Sequence, residues 1–580
     1  MPGHSQASGP YPAPEGSPVT PSPIDYTYTH AETLATTGYF SCEPPSSLSL
    51  EAALERLEAT PLDDFLHQHL LRVLSKKSPG ELRSLAATCY DAAADVFIRP
   101  ALAGLLLECA LLLPACREVC NGFPADAAAR LAPASPTVYL RAALQSDREA
   151  AAAWSAMFRA NICGHHPLPR PDEADIPPLF CPRELTARAE ELASRADILA
   201  REHARRKAED WEPRERPPAK ETFLRALDAL MEAGFIAGPE MRHEASLSPI
   251  ALLRSWQVDI SVRNSRLNHS LRGQATAYGR GLSLAQARAS YAMEIVERAS
   301  AYVSVGPGQA GIGGEVLDRK LPLLLIKARY ADLKAQGRAV LDPGLLPLEA
   351  TCPDAPLYWL TARAVDGAEV LVPAQAVFLF CNLDEPGLFL AGGSTGLASG
   401  NSLDEAKVAA ITEILERDAE ATTPFSRARC FTLRSRDQRI QSLLEDYAAR
   451  GIRVQFQDLT TELGLPVYQC FVTALDGTVA RATGANLNGA RAALAAGLHY
   501  CPHYLGGGIG LLASAHLLAA VGGDGLLEVD CNPNPLRELL AAPFPRLRDG
   551  RFLLSDAPGL GVAPDMEAVE KLLTFHARCR

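Results

Sequence analysis

The sequence contains no apolar run long enough to cross a bilayer. Its best stretch, Ala101–Ala115, is fifteen residues long and carries Glu108, whereas a span needs roughly twenty apolar residues. Met1 to Ser22 is rich in Pro, Ser and Gly and lacks the basic-then-apolar order of a secretory signal. Cysteine is sparse. Fourteen thiols among 580 residues are too dilute for a disulfide scaffold and fit a reducing compartment. These absences predict a cytoplasmic protein that does not engage membranes. An excess of basic charge is also missing, with 56 Lys and Arg against 68 Asp and Glu, a net charge of −12. Nucleic-acid partners are therefore not expected, because phosphate backbones call for clustered Lys and Arg. A small phosphorylated ligand held by a few local groups stays compatible with this balance. What is present is ordinary globular composition, 47% hydrophobic and 21% charged, over a length that allows two to four domains.

The fold class expected is α+β multidomain. Residues 1–48 lack hydrophobic periodicity and predict a disordered tail. Residues 49–210 predict an all-α domain. Leu50, Ala53, Leu54 and Leu57 mark one helical face, and Phe65, His69, Leu70 and Val73 continue the pattern. Ala101 to Leu113 is apolar nearly all round, as a buried central helix would be, and Glu184 to Ala208 reads as a long solvated helix. A charged, Pro-bearing joint from Glu209 to Pro218 follows. Beyond it the texture becomes α/β. Glu221–Ala233 predicts a helix, and strands are expected at Trp256–Val262, Gln274–Tyr278, Val370–Val372, Val377–Phe380, Val454–Phe456 and Val467–Thr473.

An internal repeat at an offset of 119 residues organises this second region. Ser283-Leu284-Ala285-Gln286-Ala287-Arg288 and Glu294-Ile295-Val296-Glu297-Arg298 return as Ser402-Leu403-Asp404-Glu405-Ala406-Lys407 and Glu413-Ile414-Leu415-Glu416-Arg417. Both copies follow a Gly-containing turn, which predicts duplicated βαβ-like units. Ser283–Gln286 and Ser402–Glu405 also fit a capping box, in which residue N3 reaches back to the N-cap amide. Glu294 and Glu297, like Glu413 and Glu416, sit three apart and share a helical face. Two such helices side by side would gather four carboxylates, a costly arrangement unless a cation neutralises them. Mg²⁺ suits hard oxygen ligands and usually shares them with substrate phosphates. The plainer alternative is a pair of solvated faces with local ion pairs.

Tyr278-Gly279-Arg280-Gly281-Leu282-Ser283 leading to Glu294-x-x-Glu297-Arg298, then Ser394-Thr395-Gly396-Leu397-Ala398-Ser399-Gly400-Asn401 leading to Glu413-x-x-Glu416-Arg417-Asp418, resembles the YcaO family. The resemblance implies a YcaO-like ATP-binding domain at 213–497. It also implies ATP and Mg²⁺ as cofactors and a peptide or protein as substrate. The implied chemistry is phosphorylation of a backbone amide oxygen, followed by azoline formation with a Cys, Ser or Thr nucleophile, or by thioamide formation with sulfide. A leader-binding or sulfur-delivering partner protein could accompany it. On this resemblance Glu294, Glu297, Glu413 and Glu416 would hold Mg²⁺ and nucleotide, with Asn401, Glu405 and Arg417 in the same site. Thr222 matches a phosphate-contacting hydroxyl, and Arg216 is the nearest basic match upstream, one residue out of register. Arg280 stands where the family typically has Lys.

Residues 498–580 depart from that pattern. His499 to Gly510, Leu527-Glu528-Val529-Asp530-Cys531-Asn532 and Gly559-Leu560-Gly561-Val562 are similar to the last part of the enolase superfamily, mandelate-racemase branch. His503 and Glu528 match positions that are catalytic in some of its members. The expectation is a barrel fragment without the metal carboxylates and Lys bases that precede it in that family. Two alternatives to the enzyme reading follow: a catalytically degraded protein that binds nucleotide or a partner, and a racemase or dehydratase remnant.

Three further signals carry less. Gly392-Gly393-Ser394-Thr395-Gly396 satisfies the nucleophile-elbow pattern, but the next helix should begin near Ser402, too late for an elbow. The glycines at 306–314 lack the Gly-Lys-Ser/Thr ending of a P-loop. Cys116, Cys120, Cys163, His165, His166 and Cys181 include zinc-ligand types, yet Cys116 and Cys120 follow a buried helix, where Cys serves as a small apolar residue.

Overall fold

The computed structural model describes residues 22–31 and 39–486, with interruptions at 171–172, 179–180, 209–215, 244–249, 264–265, 307–308, 313–324, 365, 380, 391, 435–437, 474–476 and 478. It also describes 547–548, 551–552 and 565–566. From the amino terminus come strands β1 (Ile24–Ala31) and β2 (Tyr39–Glu43), then helices α1 (Leu50–Ala59), α2 (Asp64–Leu74) and α3 (Pro79–Ala86). A short hairpin, β3 (Tyr90–Asp91) and β4 (Val96–Phe97), precedes α4 (Pro100–Leu112), α5 (Ala127–Leu131), α6 (Tyr139–Ala143), α7 (Arg148–Gly164) and α8 (Pro182–Ala208). Helix α9 (Ala219–Glu232) leads into β5 (Ile236–Arg242), β6 (Ile250–Val262), β7 (His269–Gly281) and α10 (Leu284–Ser300). Next are β8 (Val303–Gly306), β9 (Gln309–Ile312), β10 (Ile326–Ala328), α11 (Tyr330–Ala335), β11 (Leu357–Arg363) and β12 (Glu369–Pro373). Then follow α12 (Leu403–Thr422), β13 (Cys430–Phe431), α13 (Gln438–Ala449), β14 (Arg453–Asp458), β15 (Val467–Thr473) and β16 (Val479–Ala485). The short strands β17 (Leu547–Arg548) and β18 (Arg551–Phe552) pair with each other. The fold is mixed α/β. Among the described residues no helix is long and apolar enough to cross a membrane.

Contacts group into two compact units, each built from three separate stretches of chain. The first is Met1–Arg148, Gln257–Ala275 and Arg298–Gly393; the second is Glu149–Trp256, Thr276–Glu297 and Ser394–Arg580. The division after Arg148 falls within the helical segment 49–210.

In the first unit, two pieces of the expected disordered tail are strands. Ile24, Tyr26 and Tyr28 alternate with polar residues and are buried, the period-two pattern of a strand with one covered face. Strand β1 pairs antiparallel with β2 and parallel with β7, where Ile24 lies opposite His269 and Tyr28 opposite Gly273. The alternation spans only a few residues within Pro- and Ser-rich surroundings, which is why composition pointed to disorder. Tyr26 donates its hydroxyl to Asp63 Oδ2 at 2.7 Å. Asp63 is the N-cap of α2, and its Oδ1 accepts from the Leu66 amide at 3.2 Å and from Asn382 Nδ2 at 2.9 Å.

Helix α4 is the expected buried helix, and it carries a charge. Its first amides have no cap of their own; Ala101 N and Leu102 N donate to Glu58 at 3.2 and 2.8 Å. Glu108 lies inside the core and accepts from Ser135 Oγ at 2.6 Å and Thr137 Oγ1 at 2.8 Å, with His67 Nε2 at 2.8 Å. Burial raises its carboxyl, but His67 and the two hydroxyls outweigh that and hold it below the usual glutamate range. The expected strand at Val370–Val372 lies within β12. That at Val377–Phe380 does not form: a single 3-10 turn, Ala374–Ala376, sends the chain into a turn at Val377.

In the second unit, β13, β14, β15 and β16 form an antiparallel sheet in that order. Helix α12 lays Leu415 and Ala419 against Leu459, Leu465, Val467 and Ala485. Near the end of α7, Asn161 Oδ1 accepts from the Phe425 amide at 2.8 Å, and the His165 ring stacks on Phe425 at 3.7 Å between centroids. Helix α8 is solvated as expected, with Leu185 and Leu192 about half exposed.

Candidate functional site

The sequence repeat is a repeat of structure at the start of α10 and α12. Gln286 N donates to Ser283 Oγ at 3.3 Å while Gln286 Oε1 accepts from Leu282 N at 3.0 Å. In the second copy Glu405 N donates to Ser402 Oγ at 3.2 Å and Glu405 Oε2 accepts from Asn401 N at 2.9 Å. Each N3 side chain therefore returns to the amide before the N-cap, one residue beyond the capping box expected. The preceding glycines match as well. A Cβ on Gly281 would lie 2.9 Å from Ala287 N, and one on Gly400 would lie 2.5 Å from Ala406 N, so only glycine lets the turn close onto the helix. Strand β7 runs directly into the first turn, whereas 392–402 has no strand. The duplicated element is turn, cap and helix, not βαβ.

Glu294, Glu413 and Glu416 brace the backbone. Glu294 Oε2 accepts from Tyr278 N at 2.8 Å, Glu413 Oε2 from Gly396 N at 3.2 Å, and Glu416 Oε2 from Ala485 N at 2.9 Å. Burial pushes Glu416 up to about 7, helped by Glu413 and Glu420 and opposed by Arg417 and the Ala485 amide. Glu297 is half-buried one turn beyond Glu294. Arg417 lies 3.3 Å from Glu420 and 4.0 Å from Glu413. Among the described residues no three His, Cys, Asp or Glu side chains converge as a metal cage. Hard carboxylate oxygens with one backbone bond each still fit Mg²⁺, which binds through one or two carboxylates and completes its shell with phosphates and water. Close by, Arg280 Nε is buried without a hydrogen-bond partner. Burial lowers its guanidinium, with Glu294 working against that. An orphaned guanidinium N–H beside carboxylates suits a polyphosphate–Mg²⁺ ligand better than it suits solvent.

The loop between Ser394 and Ser402 ties the elements of this unit together. Gly396 meets Glu413, Ser399 Oγ donates to Met293 O of α10 at 2.7 Å, and Asn401 meets α9. Asn401 Oδ1 accepts from Thr222 Oγ1 at 3.0 Å and from Arg225 Nη2 at 2.6 Å. Arg216 Nη1 lies 3.6 Å from Glu405 Oε1. Thr222, Arg216, Asn401 and Glu405, separated by up to 189 positions in the sequence, are thus brought together. Arg225 is the residue the sequence reading missed; its signal is the spacing of three from Thr222, which puts both on one face of α9. The basic residue of the first repeat has a structural task. Arg288 grips Glu240 through Nε and Nη2, both at 2.9 Å, and Tyr291 donates to the same carboxylate at 2.8 Å.

Residues 278–498 match the family model for the YcaO cyclodehydratase, described as ATP- and Mg²⁺-binding. The match takes in both repeated motifs and the loop between them. Residues 472–569 match the enolase C-terminal domain-like model, so the two matches overlap at 472–498. The chain is 32% identical over 192 residues to an uncharacterized protein of Methanothermobacter thermautotrophicus, covering 32% of this chain and 45% of that one. It is 28% identical over 202 residues to an uncharacterized protein from the tfuA 3′ region of Rhizobium leguminosarum bv. trifolii, covering 33% and 43%. It therefore spans less than half the length of these curated relatives. Among solved structures it is similar to YcaO from Methanopyrus kandleri bound with AMPPCP and Mg²⁺, at 20% identity and a TM-score of 0.32 over 48% of this chain and 65% of that one. It is likewise similar to a heterocyclase in complex with substrate and cofactor, at 16% identity and a TM-score of 0.35 over 48% and 39%.

The other signals separate from this site. His503 and Glu528 lie outside the described residues. Ser394 precedes α12 by eight residues without a strand before it, which is not the geometry of a nucleophile elbow. Cys116 and Cys120 are buried, and burial pushes the Cys120 thiol up to about 12.

Proposed function

We propose that this chain is an ATP- and Mg²⁺-dependent enzyme that phosphorylates a peptide backbone amide on the way to an azoline or a thioamide. The observation that carries the proposal is the loop 394–402. It presents Asn401 to Thr222 and Arg225 and the Gly396 amide to Glu413, while Glu405 in the first turn of α12 meets Arg216, all within one compact unit. Glu294, Glu297, Glu413 and Glu416 would hold Mg²⁺ together with the nucleotide phosphates. When bound, the ion neutralises charge on the transferred phosphoryl group.

The remaining work falls to this chain's own side chains. Arg280, with its unpartnered Nε, and Arg216 supply positive charge for the phosphates, Thr222 and Asn401 supply hydrogen bonds, and Arg417 tempers the repulsion between Glu413 and Glu420. In the reaction the amide oxygen forms a bond to the γ-phosphorus as ADP leaves. A thiol, hydroxyl or sulfide would then add to the amide carbon and lose its proton, and the former amide oxygen would depart as phosphate; in the azoline case the amide nitrogen also gives up its proton as the ring C=N forms. The substrate is a peptide or protein, a leader-binding or sulfur-delivering partner is compatible with this chemistry, and the setting is the cytoplasm.

The overlap of the YcaO and enolase-like matches at 472–498 favours a second reading, a YcaO-derived protein that binds nucleotide without turnover. Calorimetric titration with a non-hydrolysable ATP analogue, with and without Mg²⁺, tests both. Mg²⁺-dependent binding lost in Glu294→Gln and in Glu413→Gln supports the site. Slow phosphate release from ATP that Glu413→Gln abolishes favours the enzyme, and binding with no release favours the second reading. Absence of binding by a folded sample sinks both.

A further inference from the structure

The two copies of the repeated cap are alike in backbone and unlike in what they offer a ligand. Leu282 and Gln286 in the first copy are replaced by Asn401 and Glu405 in the second. The second copy gathers polar side chains on its cap, two of them from one face of α9. Asn401 Oδ1 receives Thr222 and Arg225 together. With both donors on the oxygen, the amide nitrogen of Asn401 must turn the other way and offer its two N–H groups. Arg225 uses one donor on a neutral acceptor, and among the described residues no carboxylate pairs with it. An exposed guanidinium held in place by a neutral bond, with four further N–H groups and a full charge, is arranged to receive an anion.

We infer that Arg225 is a polyphosphate-binding residue of this site, acting with the Asn401 amide that it and Thr222 orient. The inference rests on the nucleotide reading above and deepens it, because it assigns recognition to the phosphate chain rather than to the base or ribose. The charge pattern supports this division. Glu405 is already matched by Arg216 and by the Asn401 amide, which leaves Arg225 as added positive charge beside that pair. Lysine could not replace it fully, since a point ammonium cannot both hold the Asn401 oxygen and fork onto phosphate oxygens.

The test is calorimetry on the full chain with three probes in the presence of Mg²⁺: inorganic tripolyphosphate, a non-hydrolysable ATP analogue, and AMP. Arg225→Ala should weaken tripolyphosphate and the analogue at least tenfold while AMP changes less than twofold. Arg225→Lys should recover only part of the loss, and thermal unfolding should show each variant folded. Tripolyphosphate that binds Arg225→Ala as well as the unaltered chain, or does not bind the unaltered chain, overturns the inference. If tripolyphosphate binds through Arg225 but the ATP analogue binds no better, the inference stands and the ATP reading falls.

Discussion

Glu416 shows how one side chain can make the site sensitive to pH. Burial places its carboxyl at about 7, against an ordinary glutamate value of about 4.3. Below about pH 4 both folded and unfolded chains hold the proton. Between about 4 and 7 the native carboxyl keeps a proton that the unfolded chain has released, so native stability falls as pH rises through that window. Above about 7 both are ionised and the dependence ends. A cation drawing Glu416 into its shell has to displace that proton first. Titration of Mg²⁺ and nucleotide at pH 6 in buffers of different ionisation enthalpy should therefore register proton release, close to absent at pH 8. Glu416→Gln should abolish the release and flatten the stability profile between pH 4 and 7. Equal release from that variant would remove Glu416 from the binding reaction. The repeat made Glu416 visible in sequence, but its bond to the Ala485 amide, 69 residues on, was not. Arg225 was hidden for a related reason: its meaning depends on Asn401, 176 residues away.

At the scale of elements, local rules carried well and pairing rules did not. Ser49 and Ser402 cap their helices as their types suggest, and β15 spans Val467–Thr473 as read from its apolar run. The expected βαβ repeat failed because sequence similarity records the cap and the helix, while a strand exists only if another strand pairs with it. The same cause hid β1, whose parallel partner lies in β7. The repeat allows an internal control. Gly281→Ala and Gly400→Ala should each force the start of a helix away from its turn and cost about 1–3 kcal/mol, a typical overpacking penalty, read by chemical denaturation. Gly400→Ala should also weaken tripolyphosphate, by about tenfold (~1.4 kcal/mol), and more than Gly281→Ala does, because its turn leads into Asn401 and the Thr222 and Arg225 contacts, whereas the first turn carries Arg280 alone. Equal losses of ligand affinity from the two variants would mean that the second copy is not specialised.

At the scale of the whole molecule, composition fixed the class better than the boundaries. The Pro-bearing joint at 209–218 is where a linear reading cuts the chain, since charge and proline interrupt both helix and strand there. Contacts do not follow that cut. Glu149–Trp256 belongs with Ser394–Arg580, and within that unit Asn161 and His165 of the α7 region bind and stack on Phe425. The first unit likewise needs distant chain: β1 pairs with β7, and Asp63 at the start of α2 is held by Asn382. A fragment of residues 49–210 would lose Tyr26 and Asn382 from the buried Asp63. It would retain the helices packed around α4, including the pairing of Glu108 with His67, Ser135 and Thr137. Leaving a buried carboxylate with the Leu66 amide but without its two side-chain donors costs about 1–3 kcal/mol, a large share of the stability of a domain this size. Such a fragment should keep helical far-UV dichroism but unfold with a shallow, poorly cooperative denaturant curve, and a fragment of 213–580 should lose cooperativity for want of Asn161 and His165. A sharp, native-like transition from either piece would show that it folds alone, and would return the joint at 209–218 to being a domain boundary.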